Sequence, residues 1–204
     1  MPPRDPGRDL VTHILRTRYQ LDVEEIPTQP QAGPTPDLLV RCDGQVAFVV
    51  EVKTLKFDRD LSKFDVNGEF HGPDRGPERA GKAIDEAARQ LRTRPEPRVL
   101  AIVNEDLYDV HDLDTAVTGG YEVRQGDLAV RLNVMGAGRI ARGRVRACIG
   151  DIDLCIWIDA RRHNASGEPS VSLRASTPQG VRIAHAHLGA PSDGWPRVRF
   201  ETAR

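Results

Sequence analysis

Apolar positions in the first half of the chain switch between helical and strand periods. Leu10, Val11, Ile14 and Leu15 recur at helical spacing, with Asp9 in the first turn, which predicts a helix over 8–20. Residues 21–26 predict a first short strand, and the proline-rich stretch from Pro27 to Pro36 a connection. Two further strands follow around Asp43-Gly44, a hairpin signal. On the second of these, alternation puts Val46, Phe48, Val50 and Val52 on one face and Ala47, Val49, Glu51 and Lys53 on the other. Residues 54–76 are polar and rich in glycine, and predict a mobile loop. A helix is expected to start near Pro77, with Ala80, Ala83, Ile84, Ala87, Ala88 and Leu91 as its apolar stripe and Pro95 and Pro97 ending it. Val99–Val103 is continuously apolar, as a buried parallel strand is. Strand, crossover helix and strand then imply a right-handed unit on a mixed sheet.

The second half is less legible. A short helix is expected over 106–118, ending at Gly119-Gly120. Strand-like segments follow at 121–134, 139–149, 152–159, 170–175, 181–188 and 196–201. The expected organisation is therefore a disordered N-terminus (1–7), an α/β core (8–120) and a β-rich C-terminal region (121–204). That last region either extends the core sheet or forms a small sheet of its own.

The chemistry concentrates on the hairpin. Asp37 starts one strand, and Glu51 and Lys53 share a face of the returning strand. Two carboxylates can hold a divalent cation, and a lysine beside them can stabilise charge on a phosphate. Register decides whether Asp37 joins Glu51. A two-residue turn at Asp43-Gly44 pairs Cys42 with Gln45 and sets Asp37 against Val50, away from Glu51. A three-residue loop pairs Arg41 with Gln45 and Asp37 with Val49, so that Glu51 is a diagonal neighbour about 7–8 Å away. The three-residue loop, with Gly44 left-handed, is the expectation, because of these two it alone gives a shared site.

Pro36-Asp37, followed by Glu51-Val52-Lys53, resembles the signature of the PD-(D/E)xK nuclease superfamily, the restriction-endonuclease-like fold. The expected order of helix, three strands, helix and strand is that superfamily's core order. The resemblance spans roughly residues 8–104. It implies a nuclease hydrolysing phosphodiester bonds with Mg²⁺ or Mn²⁺, with nucleic acid, by analogy DNA, as partner. The metal ligands would be Asp37, Glu51 and the Val52 carbonyl, with Lys53 as charge stabiliser. Relatives often add a Gln or Lys from the crossover helix, for which Gln90 is placed, and an acid from the first helix. For that acid the chain offers Asp9, Glu24 and Glu25, none in a recognisable motif. The alternative is an inactive module of the same fold that binds nucleic acid or a protein.

Composition narrows this only slightly. The 204 residues suit one domain of ordinary size, and the net charge of −1 gives no global basic signature. The chain has 25 Arg but 4 Lys, all between positions 53 and 82, so a lysine beside Glu51 stands out. Cys42, Cys148 and Cys155 form neither a disulfide framework nor a zinc motif, which fits a cytoplasmic protein. No apolar stretch reaches a membrane span. His185 and His187 would share one strand face, and Arg142, Arg144 and Arg146 another, but surface strands account for both sets.

Overall fold

The computed structural model describes residues 5–27, 35–56, 76–106, 108–125, 128–133, 145–163 and 167–189. Helix α1 (Pro6–Thr17) starts two residues before its expected position, because the Asp5 side chain caps it by accepting from the Gly7 N–H and Pro6 occupies its first turn. Strand β1 (Asp22–Glu25) follows, then the hairpin of β2 (Leu38–Cys42) and β3 (Gln45–Leu55). Helix α2 (Gly76–Leu91) buries all six residues of its expected stripe, and β4 is Arg98–Asn104. Helix α3 (Val110–Thr118) opens on an Asp109/Asp112 capping box and ends at Gly119 with φ 76°.

The second half supplies β5 (Gly120–Gln125), β6 (Leu128–Asn133), the one-turn α4 (Val145–Cys148), β7 (Leu154–His163), β8 (Pro169–Ala175) and α5 (Pro178–Leu188). The main sheet has six strands in the order β1-β2-β3-β4-β7-β8, parallel at β3/β4 and β4/β7 and antiparallel elsewhere. Both expectations for the C-terminal region therefore hold in part: β7 and β8 extend the core sheet, while β5 and β6 pair with each other.

The sheet is covered on both faces. Val50, Val52, Val99, Ala101 and Val103 pack with Val11, Ile14 and Leu15 of α1 and Ile183, Ala184 and Leu188 of α5. Val49, Leu55, Leu100 and Ile102 pack against Ala83, Ile84, Ala87, Ala88 and Leu91 of α2, together with Leu113 of α3. A strand buried on both faces has no polar side, which is why β4 reads as one apolar run.

The hairpin corrects the expected register. The turn is the two-residue one: Cys42 pairs with Gln45, and Asp43 (φ 50°) and Gly44 (φ 76°) are both left-handed, as a type I′ turn requires. Gly44 is left-handed as expected, but the three-residue loop is not formed. Between Val40 and Arg41 the pairing then slips by one, so that Val40 meets Phe48, Leu39 meets Val49 and Leu38 meets Val50. This is a β-bulge in β3, and it changes which residues share a face. Val46 is 40% exposed rather than part of the apolar face, and Ala47 packs against the α1-side cluster, away from Glu51. Full burial of Phe48 stabilises by about 2–3 kcal/mol, more than the roughly 1 kcal/mol of one lost ladder hydrogen bond, so the bulge is tolerated.

Three other expectations fail. Residues 181–188 are helical, so His185 and His187 do not share a strand face. Thr177 at the N-cap, Pro178 behind it and Gly189 (φ 57°) at the C-cap are ordinary helix signals, hidden by an apolar alternation that mimics a strand. Residues 145–151 are a turn of α-helix and a 3-10 turn rather than the end of a strand over 139–149, which also takes Arg146 off any strand face. The loop expected over 54–76 begins later, since β3 runs to Leu55. The rest of that loop from 57 to 75, with Arg59 and Lys63, lies outside the described residues. So do residues 1–4, Arg142, Arg144 and the strand expected over 196–201.

Candidate active site on the central hairpin

The site begins where the hairpin ladder ends. Leu38 lies opposite Val50, and Asp37 stands one residue before β2. The Asp37 N–H donates to the Val50 carbonyl at 2.9 Å, and its Oδ2 accepts from the Val52 N–H at 2.8 Å. Asp37 is thus tied to β3 through backbone and side chain together. In a strand, the N–H and C=O of one residue project to the same edge. The Val52 carbonyl therefore points to the edge where Asp37 lies.

Glu51 lies on the α2 face of β3, level with Leu100 of β4, and is 2% exposed. Its Oε1 meets Lys53 Nζ at 2.9 Å, whereas its Oε2 is buried with no hydrogen-bond partner. Burial first, and the Asp37 charge second, raise its pKa from 4.5 to about 7, against the opposing pull of Lys53 and Gln90. A carboxylate oxygen without a partner in a buried site is costly unless something occupies it.

Helix α2 closes the site from above. Lys53 Nζ donates to Gln90 Oε1 at 2.9 Å and lies 3.9 Å from Glu86 Oε2. Glu86 precedes Gln90 by one helical turn, so both project from the same side of α2. Alanines at positions 80, 83, 87 and 88 let the helix approach the sheet closely enough for these contacts.

All four residues singled out in the sequence, Asp37, Glu51, Lys53 and Gln90, are brought together at one end of the hairpin. Two contributors were missed. Glu86 had a signal in its helical spacing from Gln90. Arg8 had less: its Nη2 lies 2.7 Å from Asp37 Oδ1, across 29 residues of sequence. Its one hint is a cation in the first turn of a helix, where the dipole disfavours it.

Among the described residues, no group of three or more His, Cys, Asp and Glu side chains is placed to hold a metal ion. Asp9, Glu24 and Glu25 therefore do not join Asp37 and Glu51 in such a group. What the site does offer is two carboxylates and a backbone carbonyl, all hard oxygen donors. Mg²⁺ is commonly held by one or two carboxylates, with waters and substrate phosphates completing its shell. The donor set, and the unpartnered Glu51 Oε2 in particular, fit such an ion. Asp151 and Asp153 do other work: Asp151 pairs with Arg92 and Asp153 joins Arg98 to Thr177.

No protein-family model matches this chain, and neither curated proteins nor solved structures yield a significant match.

Proposed function

We propose that this chain is a metal-dependent nuclease of the PD-(D/E)xK type, with a restriction-endonuclease-like core formed by α1, β1, β2, β3, α2 and β4, that hydrolyses phosphodiester bonds of DNA. The observation that carries the reading is the buried, unpartnered Oε2 of Glu51 beside Asp37, with the Lys53 ammonium on the other oxygen of the same carboxyl. Asp37, Glu51 and the Val52 carbonyl would hold Mg²⁺ or Mn²⁺. When bound, the cation would supply Lewis-acid activation of water and neutralise phosphate charge. Lys53 would orient the attacking water or stabilise the charge that develops on the phosphoryl oxygens. Gln90 and Glu86 would hold the lysine over the site, so that it need not reorganise during the reaction.

The alternative is a nuclease-fold module that binds nucleic acid or protein without turnover. It is favoured because, among the described residues, no third acid joins Asp37 and Glu51 in a metal-holding group, and because the Arg8 guanidinium is already paired with Asp37. Incubation with linear, circular and branched DNA separates the two readings. The nuclease reading expects cleavage with Mg²⁺ or Mn²⁺ that stops with a chelator and in Glu51→Gln. DNA that is bound but left intact under every condition selects the module instead.

A further inference from the structure

Every carboxylate oxygen of Asp37 and Glu51 except one has a partner. Asp37 Oδ2 accepts from the Val52 N–H, Asp37 Oδ1 from Arg8 and Glu51 Oε1 from Lys53. A cation held at Asp37 and the open Glu51 Oε2 would therefore compete with Arg8 for the Asp37 carboxylate. The arginine is itself incompletely paired, since its Nε is buried without a hydrogen-bond partner. It also places a cation in the first turn of α1, against the helix dipole. One contact, to Asp37, offsets both costs.

We infer that Arg8 is an exchangeable counter-ion, which occupies Asp37 until a divalent cation displaces it and then turns its guanidinium to a phosphate of the nucleic acid. The inference rests on reading Asp37 and Glu51 as a cation site. The exchange is balanced in charge: a dication replaces a monocation at the carboxylates, and the freed guanidinium gains an anionic partner suited to its forked donors. Cation binding and phosphate binding then reinforce each other through one side chain.

Calorimetric Mn²⁺ titration of the full chain tests this, using the parent, Arg8→Gln, Arg8→Met and the charge-keeping Arg8→Lys. Circular dichroism would establish that each is folded. Removing the competing charge should tighten Mn²⁺ binding in Arg8→Gln and Arg8→Met by up to about fivefold, the scale of a part-exposed ion pair. Arg8→Lys should stay near the parent. A short phosphorothioate DNA duplex, used as a slowly cleaved probe, should bind the parent more tightly once Mn²⁺ is present. That gain should vanish in the two uncharged variants. If the parent binds Mn²⁺ but the uncharged variants bind it equally or more weakly, Arg8 is a plain structural ion pair and the inference fails while the cation site stands. If the parent binds no Mn²⁺, the cation site fails and the inference falls with it.

Discussion

Glu51 is a carboxyl placed where its charge is poorly accommodated, with consequences that can be measured. Its folded pKa is raised from 4.5 to about 7, so folding favours the protonated form. Below about pH 4.5 both folded and unfolded chains carry the proton and nothing is lost. Between about 4.5 and 7 the unfolded chain ionises first, so the metal-free protein should lose stability as pH rises, then level off. Glu51→Gln should lack this loss, and its melting temperature with chelator should exceed the parent's at alkaline pH more than at acid pH. Parallel curves would contradict the raised pKa. Lys53 opposes the rise, so Lys53→Ala should weaken cation binding near neutrality by pushing Glu51 higher still. Binding should recover at more alkaline pH, where more of the carboxyl is ionised. Turnover should stay depressed by on the order of 10²-fold, as expected when an electrostatic stabiliser is lost. Full recovery of cleavage at that pH would mean that the lysine only tunes Glu51.

At the scale of elements, the hairpin and α5 are the informative cases. The residues that meet in the site were legible because strand alternation puts Glu51 and Lys53 on one face whatever the turn. The turn itself was misjudged, because sequence counting assumed an unbroken ladder. One extra residue in β3 lets a tight turn coexist with Leu38 opposite Val50, and nothing in Gln45–Phe48 announces it. Helix α2 was legible because four alanines, Ile84 and Leu91 at helical spacing have no strand reading. Helix α5 was lost because Val181, Ile183 and the two histidines alternate. Its docking depends on Gly180, where a Cβ would lie 1.8 Å from the Asp153 carbonyl oxygen. That oxygen is backbone and accepts from the Ser176 N–H, so it cannot move aside cheaply. Gly180→Ala should therefore destabilise the fold by at least about 2 kcal/mol in denaturant titration, a typical cost of overpacking. An unchanged midpoint would mean that α5 is not held there.

For the molecule as a whole, the sheet is the frame and the site is a local departure from it. Both faces of β3 and β4 are covered by helices, and the charged residues Glu51 and Lys53 interrupt the apolar surface that α2 otherwise meets. A fully packed interior would gain from an apolar residue at position 51, so the buried Glu51 carboxyl is a cost that the proposed cation site would offset. The core order of elements could be read in advance because the helices and β3 each have one dominant period and β4 is a single apolar run. The join of β7 to β4 could not, because pairing between strands 55 residues apart is set by the packing of both layers and leaves no local trace. The central claim is that Asp37 and Glu51 share one divalent cation. Anomalous diffraction from crystals grown with Mn²⁺ tests it most directly. One peak between the two carboxylates, with the Arg8 guanidinium moved off Asp37, is the predicted result. No peak there, with Arg8 still on Asp37 at saturating Mn²⁺, would contradict it.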